Sequence, residues 1–278
     1  MIFWSEPAAL LFAGIPAVGK INARCHSERG ETGKSRGEWK SSSISTRHIN
    51  FASIRAKPHR QHFYSPVLIL YFHPLMDKYR ITFETWNNVA QTYREKFMGL
   101  DLYNDTYDTF CSLLHKKATV LEVGCGPGMI SKYISAKRPD LGIDACDVSP
   151  NMIAIAEQEV PAANFFTLDA RALHTLRKNY TAIISGFCIP YLSKEDVQKF
   201  FRDCAALVEK NGMLYLSFIE GNYEDSGFKT GSTGDRAFVY YYNEAFISSS
   251  LKENGFECLN ALRKNYASEI HLVILARK

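Results

Sequence analysis

From residue 120 to the end of the chain, short apolar runs alternate with stretches whose apolar positions recur every three or four residues. Val120-Leu121-Glu122-Val123 has the length of a strand, and Met129, Ile130, Tyr133 and Ile134 after it fall at helical spacing. The pattern repeats. Residues 141–146 predict a second strand, followed by a helix through Ile153, Ile155 and Ala156; residues 164–168 predict a third and residues 182–188 a fourth. Ser193 followed by Glu195 and Asp196 has the form of a helix start, with Val197, Phe200, Phe201, Cys204, Leu207 and Val208 on one face and Asn211-Gly212 as the stop. Residues 213–219 predict a fifth strand. Phe246, Ile247, Ser250 and Leu251 predict a helix ending at Gly255, and residues 269–276 a terminal strand. Ahead of all this, residues 79–114 predict a helical, aromatic-rich segment carrying Trp86, Val89, Ala90, Tyr93 and Phe97. Strands alternating with helices imply an α/β fold, a Rossmann-like doubly wound sheet with helices on both faces.

The connection between the first strand and its helix reads Gly124-Cys125-Gly126-Pro127-Gly128. Glycines let the backbone turn sharply and approach a ligand closely, because no Cβ stands in the way. Their spacing selects among nucleotides: a dinucleotide fingerprint needs a third glycine at position 129, which is Met129. The pattern present, Glu122-x-Gly124-x-Gly126-x-Gly128, resembles the first motif of the class I S-adenosylmethionine-dependent methyltransferases. Asp147-Val148-Ser149-Pro150-Asn151-Met152 is similar to that family's second signature, and Asp169-Ala170 after the third strand to its third.

The resemblance implies a seven-stranded, mostly parallel sheet whose last strand runs antiparallel, and a cofactor site built from Glu122, Gly124, Cys125, Gly126, Gly128, Asp147, Val148, Met152, Asp169, Ala170 and Phe187. Asp147 would accept the ribose hydroxyls, Asp169 and Ala170 would lie at the adenine, and Phe187 beside the sulfonium. Asp144 competes for the ribose role but stands earlier in its strand. Tyr93 and Trp86, on the helix that relatives use as a flap, would line the transfer pocket, with core packing as the plain alternative. The chemistry implied is in-line methyl displacement, which depends chiefly on orientation. A base is needed only where the acceptor must lose a proton. No fixed catalytic dyad is therefore expected; Tyr191, Tyr93 and Cys188 are the residues placed to take part.

Charge divides the chain. Of 33 Lys and Arg, ten fall in residues 1–75, with four of the 29 Asp and Glu, so this stretch carries +6 and the remainder −2. Residues 1–75, without sustained apolar periodicity, are expected to be a disordered leader or sequence ahead of a natural start at Met76, and residues 76–278 the methyltransferase domain. Their two P-loop-like runs fail, since Ile21 stands where a magnesium-holding hydroxyl belongs and the run from Gly30 is two residues short. The apolar run 8–18 is too short to span a bilayer. The mildly acidic domain argues against a nucleic-acid substrate, and no membrane association is expected. Seven cysteines without a C-x-x-C pair suit a reducing cytoplasm, and His115, His174 and His271 show no metal-ligand spacing.

The Gly/Ser/Thr/Asp-rich residues 221–235 are expected to form a functional loop beside Tyr223 and Tyr240-Tyr241-Tyr242, suited to a small, partly apolar acceptor. The reading is thus methyl transfer to a small molecule. Alternatives are a cofactor-binding partner without turnover, a methyltransferase acting on RNA or protein, and a nicotinamide-dependent oxidoreductase, the last disfavoured by Met129.

Overall fold

The computed structural model describes residues 77–231 and 234–278. The expectations for residues 1–75 lie outside them. Helical propensity at the start resolves into three helices rather than one: α1 (Asp77–Asn88), α2 (Ala90–Phe97) and α3 (Asn104–Ser112). Then follow β1 (Thr119–Val123), α4 (Met129–Lys137), β2 (Gly142–Asp147), α5 (Pro150–Glu159), β3 (Asn164–Thr167), β4 (Tyr180–Gly186), α6 (Lys194–Leu207) and β5 (Val208–Ile219). The chain closes with β6 (Gly227–Thr230), β7 (Arg236–Val239), α7 (Glu244–Glu253), β8 (Glu257–Tyr266) and β9 (Glu269–Arg277).

Seven of these strands form one sheet in the order β3-β2-β1-β4-β5-β9-β8. The pairs among β1 to β5 are parallel, and β9 runs antiparallel to both β5 and β8. The doubly wound, mostly parallel sheet expected from the sequence is present. Strands buried on both faces carry near-continuous apolar runs, as at Ile183, Ile184, Leu214, Tyr215 and Leu216, all fully buried. One core layer joins the sheet to α6 and α7 through Phe200, Phe201, Leu207 and Leu251. The other joins it to α3, α4 and α5 through Phe110, Ile134 and Ala156.

Four details differ from the sequence reading. β4 stops at Gly186, where a Cβ would stand 2.5 Å from Ile130 Cδ1; Phe187 then takes a left-handed φ of 57°, so Phe187 and Cys188 lie in the exit turn and not in the strand. Helix α6 ends at Leu207, and Val208 opens β5 instead of continuing the helical face. Asn211, with φ of 64°, and Gly212 sit in the irregular stretch between the Tyr180–Val208 and Ala182–Met213 pairs. β8 carries no clear strand pattern in the sequence: most of its residues are exposed, and they include Glu257, Arg263 and Lys264, the signature of an edge that discourages pairing.

The fourth difference is residues 221–235. The described ones do not form an open loop: Gly227–Thr230 is β6, which pairs antiparallel with β7, and Gly231 N–H donates to Asp235 O. Tyr240, Tyr241 and Tyr242 after β7 are buried. The pair holds α1. Thr85 Oγ1 donates to Arg236 O at 2.7 Å, and Phe238 N–H donates to Thr82 Oγ1 at 2.9 Å. In the last turn of α1, the Asn87 side-chain oxygen accepts from Asn151 N–H and Ser149 Oγ, both 3.0 Å away, fixing the helix on the start of α5.

These two anchors set a test. Thr82→Val removes the acceptor of the Phe238 N–H and should cost about 1–3 kcal/mol of stability, read as a lower denaturant midpoint with an unchanged slope in equilibrium unfolding. An unchanged midpoint would show that the strap carries no load.

Candidate functional site

At the carboxyl end of β1 the chain must reverse into α4, and three glycines do it with positive φ: 72° at Gly124, 52° at Gly126 and 87° at Gly128. Two of them are also sterically fixed. A Cβ on Gly124 would meet Cys188 Cβ at 2.9 Å, and one on Gly128 would meet Ala156 Cβ at 3.2 Å. Gly126 differs, since its nearest neighbour would be a Tyr93 ring carbon at 3.9 Å. The space above Gly126 belongs to the pocket, and any side chain there would enter it.

The turn is tied to β2. Gly124 N–H and Cys125 N–H both donate to Cys146 O, and Gly126 N–H donates to Asp147 Oδ2 at 2.9 Å. Asp147 Oδ1 accepts from Ser149 N–H at 2.9 Å, while Ser149 Oγ caps α5 by accepting from Met152 N–H. Burial raises the Asp147 carboxyl pKa above its ordinary value, and the donated backbone N–H groups of Ser149, Gly126 and Val148 oppose this. A carboxylate has about four acceptor positions; these three backbone donors leave part of that capacity for a ligand. Asp144 is elsewhere engaged, by Lys178, Tyr180 and Asn164, so of the two carboxylates of β2 it is Asp147 that lines the pocket.

Asp169 caps the 3-10 turn Ala170–Thr175 through Arg171 N–H and pairs with the Arg171 guanidinium. That guanidinium lies 4.0 Å over the Tyr79 ring of α1. Asp169 is therefore both a cap and a pocket wall.

Glu122 is the most unusual group. It is buried, accepts a hydrogen bond from Ser131 Oγ on one oxygen, and has no hydrogen-bond partner for Oε1. Desolvation pushes its pKa up to about 8, against the Ser131 hydrogen bonds. A buried carboxylate oxygen without a partner is costly, and Glu122 lines the pocket. An amine or ammonium would satisfy it.

One pocket brings these residues together. Its floor, which carries the three carboxylates, comprises Glu122, Gly124, Cys125, Gly126, Asp147, Val148, Met152, Asp169 and Ala170. Its other wall is aromatic: Trp86, Tyr93, Phe97, Tyr103, Phe187 and Tyr191 all border it. Trp86 lies edge-on to Tyr191 at 5.3 Å and to Tyr93 at 6.0 Å. Gly128 is the one residue of the expected cofactor set that does not line the pocket; it shapes the turn. Burial pushes the Tyr93 and Tyr191 phenols above their ordinary range and Cys188 up to about 12, so all three are neutral near pH 7.

The expected acceptor-selecting loop is absent from this wall. Among the described residues, none of 221–235 lines the pocket; α1, α2 and the segment into α3 do so instead. The sequence reading missed Tyr103 and Tyr107, whose four-residue spacing at the start of α3 was the available signal. Among the described residues no cluster of His, Cys, Asp and Glu is arranged to hold a metal, and no helix is long and apolar enough to cross a membrane.

The profile of a methyltransferase domain family matches residues 120–212. Malonyl-[acyl-carrier protein] O-methyltransferase 1 of Ilyobacter polytropus is 27% identical over 146 residues, covering 51% of this chain and 53% of that protein. The chain thus spans about half the length of the curated relatives it matches. Among solved structures, the magnesium protoporphyrin IX methyltransferase of Synechocystis PCC 6803 with bound S-adenosylmethionine aligns with a TM-score of 0.57 at 19% identity, over 73% of this chain and 97% of that one. The [4+2]-cyclase SpnF aligns with a TM-score of 0.52 at 16% identity, over 63% and 80%.

Glu122 gives this site a measurable signature. A carboxyl raised to about 8 in the folded chain and near its ordinary 4.5 when unfolded keeps its proton longer when folded. Its stabilising contribution is complete below about 4.5 and is lost as pH rises through about 8. Glu122→Gln should remove that loss: in ligand-free protein, the variant's melting temperature should gain on the parent's as pH is raised across this window. Parallel curves would show that Glu122 titrates normally.

Proposed function

We propose that this chain, whose residues 120–212 match a methyltransferase domain family and whose fold is that of S-adenosylmethionine-dependent methyltransferases, transfers a methyl group from S-adenosylmethionine to a small-molecule acceptor. The observation that carries the reading is the pairing of an unsatisfied buried Glu122 oxygen with an open Gly126 and a partly committed Asp147 in one pocket. These three features match an amino group, a close-lying chain and a ribose.

In this assignment Glu122 takes the amino group, and Gly124, Cys125, Gly126 and Gly128 form the turn beneath the amino-acid moiety. Asp147 accepts from the ribose, with Val148 and Met152 beside it. Asp169 and Ala170 flank the adenine, and Phe187 lies toward the sulfonium. When bound, the cofactor supplies a methyl group on a positively charged sulfur that leaves as a neutral thioether. The chain's own contribution is to orient and to exclude water. Trp86, Tyr93 and Tyr191 border the pocket, where a sulfonium cation would be attracted to their ring faces, and Tyr93 and Tyr191, held neutral, can donate a hydrogen bond to an acceptor. The aromatic wall favours a compact, largely apolar acceptor over a nucleic acid or a protein tail. The buried, unpaired thiols of Cys111, Cys146 and Cys204 support a cytoplasmic setting.

A cofactor-binding protein without methyl transfer is the second reading. Its support is that a [4+2]-cyclase shares this fold.

Calorimetric titration with S-adenosylmethionine and NAD side by side tests the proposal. Binding of the first and not the second is expected, and tight NAD binding alone would overturn it. Asp147→Ala should weaken S-adenosylmethionine by about 1–3 kcal/mol, measured the same way; unaltered affinity would remove Asp147 from the ribose.

A further inference from the structure

β9 runs antiparallel to its neighbour β5, so its first residues arrive at the carboxyl edge of the sheet, where the pocket opens. His271 pairs in register with Ile219, the last residue of β5. It is fully buried. Its Nδ1 lies 2.5 Å from Tyr103 Oη, and its Nε2 lies 3.5 Å from Glu269 Oε2. A carboxylate beside Nε2 accepts, so that nitrogen carries the hydrogen; Nδ1 is then the acceptor and the Tyr103 hydroxyl the donor.

Tyr103 borders the pocket, and His271 stands behind it. Phe187, at the exit of β4, contacts both rings, at 5.4 Å from Tyr103 and 5.0 Å from His271. Among the described residues, the other titratable neighbours of the pair include Tyr266, Lys264, Tyr93 and Tyr215. Tyr266 stacks on His271 at 5.5 Å. Lys264 is opposite His271 in register, but its ammonium is on Asp105. Tyr93 and Tyr215, facing Tyr103, are phenols that burial keeps neutral. Burial lowers the His271 pKa and Glu269 opposes that, so the resting imidazole is neutral near pH 7 and can take a proton.

Resting on the methyl-transfer reading above, we propose that Tyr103, His271 and Glu269 form a proton relay for an acceptor bearing a phenolic hydroxyl. The acceptor O–H bond breaks as its proton passes to the Tyr103 oxygen. The Tyr103 O–H bond breaks in the same step, and that proton goes to His271 Nδ1. The electron pair left on the acceptor oxygen is the nucleophile for the methyl group, and the imidazolium is balanced by the Glu269 carboxylate. Tyr103 is the catalytic residue; His271 and Glu269 act through it. Two facts select a phenol. The wall around Tyr103, with Phe97, Phe187 and Tyr191, is aromatic. In their ordinary ranges a phenol also lies only about 3–4 pKa units above imidazole, whereas a water-like hydroxyl lies about 9 above, and the lowered His271 widens both gaps alike. A carboxylate acceptor arrives without its proton and has no use for the relay.

The probe is 4-nitrophenol, whose ionisation is read from its visible absorption, added to protein saturated with S-adenosylhomocysteine. The bound probe should ionise at a pH at least one unit lower in the parent than in His271→Gln, which keeps an acceptor for Tyr103 but takes no proton. S-adenosylhomocysteine affinity should be equal in both. Should the variant not fold, histidine nitrogen NMR of the parent decides: His271 should pass from the Nε2–H neutral form to imidazolium when the probe binds. Identical ionisation in parent and variant, or an imidazole unchanged by the probe, overturns the relay. S-adenosylhomocysteine binding without nitrophenol binding overturns the phenolic acceptor, and failure to bind S-adenosylhomocysteine overturns the underlying reading itself.

Discussion

The hydrogen bond from Gly126 N–H to Asp147 Oδ2 is the contact on which the site depends. It can form only because Gly124, Gly126 and Gly128 accept a left-handed backbone, and only because parallel pairing of β1 with β2 brings Val123 opposite Cys146, one residue before Asp147. Through that one bond the loop after β1 and the loop after β2 become a single rigid floor. The remaining lone pairs of Asp147 and the unsatisfied oxygen of Glu122 then face the same space at fixed separation. Neither group is at ease without a ligand: both carboxyls are shifted upward by burial. That stored cost is what a bound ligand with matching donors would relieve.

A floor alone would leave the pocket open to water. Part of the aromatic wall, Trp86, Tyr93 and Phe97, comes from α1 and α2, which pack on Met129, Phe187 and Tyr191 and are also tied down by polar contacts of long sequence separation. Thr82 and Thr85 bind β7, Asn87 binds the start of α5, and Arg94 pairs with Glu159. Each such bond is worth about 1 kcal/mol, so the cover over the site is less firmly held than the sheet beneath it. A cover of modest stability over a rigid floor suits a site that must admit and release two ligands.

Much of this was legible in the chain. The strand-turn-helix at residues 120–134 and the Asp147–Met152 run have local patterns that fix their own geometry, since turn glycines, a capping Ser149 and Pro150 act within a few residues. What escaped the sequence was set by distance or by context. The β6–β7 pair reads as a loop because its composition is rich in Gly, Ser, Thr and Asp, and only pairing makes it a sheet. β8 is too charged to look like a strand until β9 supplies its partner. Val208 fits the helical face of α6 as well as it fits a strand, and the pairing with Tyr180 decides. Tyr103 and His271 stand 168 positions apart; nothing in either neighbourhood announces the other, and His271 judged by metal spacing alone looks inert.

The most direct test of the account is a crystal structure of the protein with S-adenosylhomocysteine. The ribose hydroxyls should donate to Asp147, the amino group should meet Glu122 Oε1, and the sulfur should face the wall of Trp86, Tyr93 and Tyr191. A ligand lying elsewhere, or one in this pocket with Glu122 still unpartnered and Asp147 bonded only to backbone, would contradict it.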